Sequence, residues 1–337
     1  CKKACPVNAI TYDENGLCVI DDERCIRCGQ CVHSCPFGAI STKTYILNVI
    51  EAIQTGKEVF AMCAPATEGQ FGKDISMGSI RTALKKLGFT DMVEVGLGGD
   101  MTAAYEALEW SEARKEGKKM TTSCCPAFIH LLKRHFPDQY HENMSQTISP
   151  MAAVSRYLKA THPGCITVFI GPCMAKKSES QEMGIEGNAD YVLSFGEFTS
   201  LLRSKDISME PEVKAYQEAS LWGKGFASSG GVANAVMECM RERGEDTTDI
   251  KLRACSGGKA CVTALSLLKV GKLPEDFIEG MACEGGCVGG PCRHKAEGEI
   301  KKARESLMEE ADTRKVLDNL KNYPMDQFSM MRENKMS

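Results

Sequence analysis

Five cysteines stand in three widely separated segments that also contain glycine or proline. The segments cover residues 122–127, 171–177 and 279–290, and their thiols belong to Cys124, Cys125, Cys173, Cys283 and Cys287. Glycines at positions 285, 286, 289 and 290 let the backbone approach a bulky group closely and adopt positive φ. We predict that the three segments are loops that converge on one iron–sulfur group. Because a cubane takes four thiolates, one of the five cysteines is left for another task.

A different cysteine pattern occupies residues 1–40. The sequence Cys-Pro-x-x-Ala-Ile occurs at residues 5–10 and again at residues 35–40. Around the second copy, the spacing C-x2-C-x2-C-x3-C-P matches that of bacterial ferredoxins, whose fourth cysteine binds the other cluster of a pair. This crossing rule predicts one complete [4Fe–4S] site with the ligands Cys5, Cys25, Cys28 and Cys31.

Two further cysteines of this repeat, Cys1 and Cys35, are predicted to belong to a second [4Fe–4S] site that is truncated in this chain. The chain starts at Cys1 without an initiator methionine, so we expect the ferredoxin-like module to be incomplete at its N-terminus. A structural zinc site is the alternative, but zinc sites rarely show four cysteines in this spacing followed by proline. Cys18, between the two copies, is expected to be a small buried apolar residue.

The composition narrows the class of protein. The chain has 337 residues, of which 43% are hydrophobic, enough for more than one domain with a sizeable core. A net charge of −4 gives no reason to expect nucleic acid or a membrane as a partner, and no apolar run approaches the roughly 20 residues of a membrane span. The 18 cysteines are bunched in motifs, which favours metal ligation in a reducing compartment, so we expect a cytoplasmic protein.

Strand-like and helix-like segments alternate from residue 58 onward. This alternation predicts an α/β domain of two lobes with mainly parallel sheets, preceded by a small α+β ferredoxin-like domain. The predicted boundaries are 1–45 for the iron–sulfur domain and 46–337 for the larger domain, with lobes at 58–162 and 163–295 and a C-terminal helix at 295–322. Ligands bind at the carboxyl ends of parallel strands, where the cysteine segments fall, so the cofactor is expected between the lobes.

The three cysteine segments resemble the signatures of the catalytic domain of [FeFe]-hydrogenases, which are T-S-C-C-P, M-P-C-x-x-K-K-x-E and E-x-M-A-C-x-x-G-C. The resemblance covers nearly the whole chain, and the segments occur in the family's order. It implies an iron hydrogenase that catalyses the reversible reaction 2H⁺ + 2e⁻ ⇌ H₂. It also implies an H-cluster, in which a [4Fe–4S] cubane is joined to a diiron subsite with CO, CN⁻ and azadithiolate ligands.

Carried over to this chain, the resemblance assigns a role to each residue of the site. The cubane ligands would be Cys125, Cys173, Cys283 and Cys287. Of these, Cys287 would also bridge to the diiron subsite. The fifth thiol, Cys124, matches the cysteine that exchanges a proton with the bridging amine. Lys176 and Pro65 would lie at the two cyanide ligands, and Met281 would pack beside the diiron unit.

A helix predicted over residues 103–113 contains Glu106 and Glu109, whose i, i+3 spacing places their carboxylates on one face. This stretch resembles the family's D-M-T-x-x-x-E-x-x-E helix, and Ser145 matches the serine between the two carboxylates. The resemblance implies a proton route through Cys124, Glu106, Ser145 and Glu109. Two solvated glutamates are the alternative interpretation of the carboxylates alone.

The resemblance also implies partners. These are H₂ and protons as substrates, a ferredoxin or similar low-potential electron carrier, and maturation proteins that insert the diiron subsite. Two other functions stay open: a sensor that binds H₂ and signals, and a non-catalytic hydrogenase-like protein of iron–sulfur assembly or electron transfer. Relatives of these kinds often lack the cysteine that Cys124 matches, so its presence favours turnover.

The chain departs from the family pattern at several positions around the predicted cofactor. Gly171 stands where M-P-C has methionine, Ala66 replaces a frequent serine, and Met151 replaces a common glutamine. Phe128 takes the place of a tryptophan, and Cys292 ends the sequence G-G-P-C that replaces G-G-G-Q-P. Together these changes predict a divergent branch of the family, with Cys292 as a structural residue. Five more cysteines fit no ligand pattern: Cys63, Cys165, Cys239, Cys255 and Cys261.

Overall fold

Parallel strands connected by helices form the body of the protein. The computed structural model describes residues 1–212, 217–309 and 313–332. Its strands are β1 (Ile10–Tyr12), β2 (Cys18–Ile20), β3 (Val59–Cys63), β4 (Asp91–Glu94), β5 (Met120–Thr121), β6 (Ile166–Gly171), β7 (Tyr191–Ser194), β8 (Leu252–Ser256) and β9 (Phe277–Met281). Short 3-10 turns occupy Lys2–Ala4, Pro65–Thr67 and Cys287–Gly289.

Helices connect and cover the strands. They are α1 (Gln30–His33), α2 (Ile46–Gln54), α3 (Met77–Leu87), α4 (Val95–Lys115), α5 (Pro126–His135), α6 (Pro137–Glu142), α7 (Pro150–Thr161), α8 (Ala175–Glu182), α9 (Phe195–Ser204), α10 (Leu221–Gly225), α11 (Gly231–Glu242), α12 (Gly258–Lys269), α13 (Glu297–Glu309) and α14 (Val316–Leu320). In the described part of the chain, no helix combines the length and the apolar composition that a membrane span requires.

Two sheets form the frame of the large domain, and all of their strand pairs are parallel. The strand order is β4-β3-β6-β7 in the first sheet and β5-β9-β8 in the second. Both sheets take strands from either side of residue 163, so the predicted lobes at 58–162 and 163–295 do not correspond to the sheets. Parallel strands need long crossover connections, which let neighbours in a sheet come from distant parts of the chain. The α/β class with mainly parallel sheets is confirmed.

Strand β9 lies in the middle of the second sheet, where the sequence predicts a loop over residues 279–290. The strand is buried along its whole length. Its one acidic residue, Glu279, is tolerated because the carboxylate accepts the Gly230 N–H at 2.6 Å, just before α11. A Cβ on Gly280 would lie 2.3 Å from the Phe128 ring, so the strand has no room for a side chain there. Tertiary contacts therefore stabilise a strand that the local sequence disfavours.

Helix α4 runs through the main core and is longer than the sequence predicts. The prediction covers residues 103–113, but the helix begins directly after β4, at Val95. Its first turns contain three glycines, which disfavour a helix in isolation. Here they allow close packing, since a Cβ on Gly98 would lie 2.2 Å from the Pro150 carbonyl oxygen. The helix thereby carries Glu106 into the interior and leaves Glu109 half-buried.

The hydrophobic core packs against both faces of the first sheet. Phe60 and Met62 of β3 belong to the main cluster around α4, where Trp110 lies against Phe277 of β9 with ring centroids 5.5 Å apart. The alternate residues of β3, among them Cys63, belong to a second cluster with α2, α3 and α9. Burial on both faces explains why β3 is wholly apolar. This packing fixes the edge of the sheet from which the site loops leave.

Two helices and an extended segment form the C-terminal part of the chain. The single helix predicted over residues 295–322 is wrong, because the structure has two helices, α13 and α14, with non-helical residues directly before α14. Residues 310–312, which fall within that prediction, lie outside the described residues. Beyond α14, backbone hydrogen bonds of 2.8 Å join residues 330–332 to residues 146–148. The final segment thus packs beside Ser145.

The N-terminal module contains the antiparallel β1–β2 hairpin and the short helix α1. Its two C-P-x-x-A-I copies make the same local hydrogen bond. The Ala9 N–H donates to Cys5 Sγ at 3.2 Å, and the Ala39 N–H donates to Cys35 Sγ at 3.4 Å. Hydrogen bonds to the sulfurs are among the features by which a protein tunes an iron–sulfur cluster. The prediction for Cys18 is wrong, because this residue lies in β2 with its side chain exposed.

Candidate active site

All five cysteines of the three segments line one cavity. The thiol-bearing wall consists of Cys124, Cys125, Cys173, Cys283 and Cys287. Pro65, Lys176 and Met281 belong to the same wall, and the rest of it is formed mainly by apolar residues such as Val95 and Phe226. The structure therefore brings together every predicted ligand of the cubane and every predicted neighbour of the diiron unit.

Strand adjacency explains why these distant segments meet. Because β3 and β6 are neighbours in the first sheet, the turn after β3 and the loop at Cys173 leave the same edge. Because β5 and β9 are neighbours in the second sheet, the segments at Cys124 and Cys283 emerge side by side. The third segment closes on the second, since a Cβ on Gly290 would lie 2.8 Å from the Pro172 carbonyl oxygen. Parallel strands thus present all three segments at their carboxyl ends.

The cavity thiols lie close enough together to influence one another's ionisation. Burial raises the pKa of Cys283 and that of Cys173 far above the ordinary value, and neighbouring thiols add to the effect. Burial also raises the pKa of Cys287 to about 12, which the Lys176 ammonium opposes. The exposed surface of Cys287 faces the cavity. Thiolates at these positions need a nearby cation, as iron provides, and the donor set therefore fits an iron–sulfur group.

Lys176 reaches the cavity, whereas its neighbour Lys177 binds elsewhere. The Lys176 Nζ lies 2.5 Å from a carboxylate oxygen of Glu179 and 3.4 Å from the Cys124 carbonyl oxygen. The Lys177 Nζ lies 2.9 Å from both carboxylate oxygens of Glu197. Of the two lysines, Lys176 alone is placed to bind an anionic ligand within the cavity.

Glu106 lies in the interior, close enough to Cys124 to raise the pKa of its thiol, after the larger effect of burial. The Glu106 Oε1 accepts the Ser123 N–H at 2.9 Å and the Ser123 hydroxyl at 3.0 Å. Its Oε2 is buried without a hydrogen-bond partner among the described residues. Burial raises the pKa of Glu106 to about 7, against the Ser123 N–H, and Glu109 adds to the rise. A carboxyl that titrates near neutrality beside a thiol can accept and return a proton.

The second half of this relay leads to Glu109. The Ser145 hydroxyl donates to Glu109 Oε2 at 2.8 Å and lies 3.4 Å from the Ser123 hydroxyl. The Thr147 hydroxyl donates to the same oxygen at 3.1 Å. Hydrogen-bonding groups therefore connect Glu106 to Glu109 through two serines. Ser123 and Thr147 are not among the residues predicted from the sequence, although Ser123 lies within T-S-C-C-P.

The N-terminal thiols form a second group that touches the cavity. The structure brings together the four predicted ligands Cys5, Cys25, Cys28 and Cys31. Burial raises the pKa of Cys28 to about 12. This residue also packs with Cys125 and Cys173 around one cluster of alanines, and Gln30 Nε2 lies 4.0 Å from Cys283 Sγ. The predicted [4Fe–4S] site therefore adjoins Cys125, Cys173 and Cys283, which are predicted ligands of the cubane. Electron transfer between two clusters requires such proximity.

The truncated second site stays a prediction. The thiol of Cys1 lies 4.0 Å from that of Cys18, and the Cys35 Sγ accepts the Ala39 N–H described above. Among the residues that the structure describes, no three His, Cys, Asp or Glu side chains are grouped around a point where a single metal ion would bind.

Replacement of Cys28 by alanine is expected to remove one cluster and leave the cavity intact. Cys28 is a predicted ligand of the N-terminal site, and the cavity has four predicted ligands of its own. Iron analysis of the reconstituted variant should show a loss of about four iron atoms per chain. Cys18→Ala is the matched control in the same module and should keep the wild-type iron content. Unchanged iron in the Cys28 variant would contradict the ligand assignment.

The structure explains departures from the family pattern around the cavity. A Cβ on Gly171 would lie 2.7 Å from the Phe169 ring, so Phe169 fills the space into which a side chain at position 171 would extend. Phe169 and Met151 both line the cavity. Cys292 has a structural contact, because its N–H donates to the Pro172 carbonyl at 3.0 Å and ties the third segment to the second.

A comparison with known protein families shows which family the chain belongs to. Residues 57–291 match the family described as iron only hydrogenase large subunit, C-terminal domain. The chain belongs to the iron-only hydrogenase family. Residues 18–41 match the 4Fe-4S binding domain, so the iron-only hydrogenase domain is preceded by a ferredoxin-like module, as the sequence predicts. The hydrogenase match includes all five cysteines of the cavity.

Individual relatives agree with this family assignment. The chain is 28% identical to a subunit of an NADP-reducing hydrogenase from Solidesulfovibrio fructosivorans, over 88% of this chain and 60% of the relative. It is 27% identical to iron hydrogenase 1 of Clostridium pasteurianum, over 93% of this chain and 67% of the relative. The chain thus spans about three fifths of the length of the first relative. Nuclear prelamin A recognition factor of Xenopus laevis is 22% identical over 89% of this chain.

The fold of this iron-only hydrogenase family member also matches solved structures. An [FeFe]-hydrogenase from Chlamydomonas reinhardtii superimposes with a TM-score of 0.66 at 19% identity, covering 85% of this chain and 93% of the other. At this identity the match establishes the fold. Together with the family matches, it makes the protein hydrogenase-like, with 4Fe–4S and H-cluster-type iron–sulfur cofactors, for which the cavity thiols are suitable ligands.

Proposed function

We propose that this protein is an [FeFe]-hydrogenase that catalyses the reversible reaction 2H⁺ + 2e⁻ ⇌ H₂. One observation carries the proposal: the fifth thiol, Cys124, lines the same cavity as the four predicted cubane ligands, and a buried carboxyl lies beside it. A protein that only stores or passes electrons has no need of a buried proton acceptor next to a thiol. The hydrogen-bonded path from Glu106 to Glu109 supports the same function.

The cavity residues would hold the cofactor as follows. Cys125, Cys173, Cys283 and Cys287 would bind the cubane, and Cys287 would also bind the diiron subsite. Lys176 and the Pro65 turn would contact its cyanides. When bound, the H-cluster would supply the iron centre and the azadithiolate amine at which H₂ is formed or split, with electrons carried by [4Fe–4S] clusters.

The chain's own residues would move the proton. Cys124 holds a proton at Sγ, because burial raises its pKa well above the ordinary value. The Glu106 carboxyl accepts this proton, since its pKa of about 7 lets both protonation states exist at neutral pH. Ser123 and Ser145 join Glu106 to Glu109, which is only half-buried and so connects the path to solvent.

Partners and location follow from this function and are proposed with it. H₂ and protons would be the substrates, and a ferredoxin or similar low-potential carrier would exchange electrons with the N-terminal module. That module suits the task because Cys28 packs beside Cys125 at the cubane side of the cavity. Maturation proteins would insert the diiron subsite, and the cytoplasm would be the reducing location that 18 cysteines favour.

The proposal is tested by activity and by infrared spectroscopy of protein matured with a diiron subsite. The matured protein should evolve H₂ from reduced methyl viologen and show bands in the CO and CN⁻ stretching region. Protein with its iron–sulfur clusters but without the diiron subsite should do neither, and serves as the control. Bands without any turnover would sink the catalytic proposal.

A non-catalytic role is the second candidate, favoured by the 22% identity to nuclear prelamin A recognition factor. A protein of iron–sulfur assembly or electron transfer would need the clusters and not the diiron subsite. It would therefore show no CO or CN⁻ bands after maturation. An H₂ sensor would show these bands with slow turnover, so the same two measurements separate all three functions.

A further inference from the structure

The C-terminal segment, residues 329–332, lies against the part of the chain that carries the proton relay. Arg156 donates to two carbonyl groups of this segment, at 2.6 and 3.0 Å. The Arg332 N–H donates to the Gln146 carbonyl at 2.8 Å, next to Thr147. Hydrogen bonds from two directions therefore hold the segment in place. The bond between Arg332 and Gln146 positions the residue whose side chain reaches the relay.

The Arg332 guanidinium lies among the groups that are proposed to move protons. Its Nη2 donates to the Ser123 carbonyl oxygen at 3.0 Å. Ser123 is also the residue whose N–H and hydroxyl hold the Glu106 carboxylate. Among the groups whose charge acts on the guanidinium, Glu179 has the largest effect, followed by Tyr140, Glu106 and Cys124. A single side chain thus contacts the relay peptide and faces its buried acid.

Two buried polar atoms, one on Arg332 itself and one on Glu179, bear on the role of this charge. The Arg332 Nε and the Glu179 Oε1 are both buried without a hydrogen-bond partner among the described residues. Burial lowers the pKa of Arg332 from its ordinary value, and the charge of Glu179 opposes this effect. A guanidinium stays protonated under these conditions. The relay therefore has a fixed positive charge at its side.

We propose that Arg332 is a positioning residue of the proton relay: its guanidinium holds the Ser123 peptide in place and supplies the positive charge that faces Glu106 and Glu179. This inference rests on the proposed hydrogenase function. The Lys176 ammonium binds the other oxygen of Glu179, so the charges of Arg332 and Lys176 both act on this carboxylate.

The direction of the electrostatic effect follows from the charges around Glu106. Glu109 on its own helix, and Cys124 after β5, favour the protonated form when they are ionised. Arg332 on the C-terminal segment is the facing cation, and an opposite charge favours the ionised carboxylate. Removal of this charge should therefore make Glu106 bind its proton more tightly. The relay would then release protons less readily at neutral pH.

The test compares Arg332→Met with Arg332→Lys in the matured enzyme. Infrared difference spectra follow the protonated Glu106 carboxyl band as a function of pH, with Glu106→Gln used to assign the band. In Arg332→Met the midpoint of this band should move upward by about one pH unit. The pH profile of H₂ turnover should move in the same direction. In Arg332→Lys the charge is kept, so the midpoint should stay close to that of the wild type.

Further measurements separate this inference from a general loss of structure. Arg241→Met changes an exposed arginine that pairs with Glu238 on α11, and it should move neither the band nor the profile. An unmoved midpoint in Arg332→Met, or an equal shift in the lysine variant, would overturn the proposal. If Arg332→Met does not fold, a shift in Arg332→Lys as large as one pH unit would also overturn it. The carboxyl band can be titrated without turnover, so failure of the hydrogenase function is a separate result.

Discussion

Replacement of Cys124 by alanine should lower H₂ turnover by about 10²–10⁴-fold while the iron content and the CO and CN⁻ bands stay in place. Cys124 is the one cavity thiol that is not needed as a cubane ligand. Among the charged groups that raise its pKa, Glu106 has the largest effect. Alanine removes the transferable proton and keeps the apolar part of the side chain. The loss should therefore lie in proton transfer alone.

The Cys124 prediction is measured with matured protein and reduced methyl viologen, alongside iron analysis and infrared spectra. Cys165→Ala is the matched control, since Cys165 is a buried cysteine outside the cavity wall. It should retain turnover near the wild-type rate. A Cys124→Ala enzyme that still turns over at the wild-type rate would show that protons reach the site by another path.

Replacement of Glu106 by glutamine should have two effects of opposite sign. Turnover should fall by about 10²–10⁴-fold, because glutamine keeps the hydrogen bonds to Ser123 but cannot carry the proton. The folded protein should become more stable at pH 8. Glu106 is 0% exposed and its pKa is raised from 4.5 to about 7, so its ionisation at pH 8 takes place against burial.

The sign of the stability effect follows from proton binding. Because the folded-state pKa of Glu106 lies above the unfolded value, the folded protein binds this proton more tightly. The stabilisation is fully present below about pH 4.5 and is lost as the pH rises through about 7. The lost free energy is on the order of 3 kcal/mol. Glutamine, which is always neutral, should avoid this loss at pH 8 and make little difference below pH 4.5.

Chemical denaturation at pH 5 and at pH 8 measures this difference between Glu106→Gln and the wild type. The exposed Glu112 on the same helix provides the control, because Glu112→Gln should not change the pH dependence of unfolding. An equal free energy of unfolding for both proteins at pH 8 would mean that Glu106 ionises without penalty. In that case the buried acid would not be poised near neutral pH, and its part in the relay would need another basis.

Both predictions depend on one property of the site: a neutral thiol and a protonatable carboxyl are buried among mainly apolar residues. Burial raises the pKa of both groups, so each can hold a proton at neutral pH. The same burial makes an ionised Glu106 costly for the folded state. The proposed catalytic role and the stability of the fold are therefore in conflict at this residue, as is usual for active-site acids.

The sequence by itself determined the spacing of the candidate ligands and of the pair of carboxylates. An iron–sulfur cluster is small and rigid, so its ligands must occur at short, fixed spacings such as that of Cys25, Cys28 and Cys31. The i, i+3 spacing of Glu106 and Glu109 likewise depends only on local helix geometry. Features that are confined to a few consecutive residues can be recognised in one sequence, and the resemblance of the three cysteine segments then connected them to a family.

The tertiary structure decided everything that depends on contacts between distant segments. Each sheet combines strands from both predicted lobes, and residues 277–281 form a central strand. Helix α4 begins earlier than predicted and includes three glycines. In these segments, packing outweighs the local preference of the sequence. The tertiary structure also showed that Phe169 fills the space beside Gly171. Most of all, it placed Arg332 beside Ser123, although 209 positions separate them in the sequence. No local spacing encodes such a contact, since only the folded chain brings the two residues together.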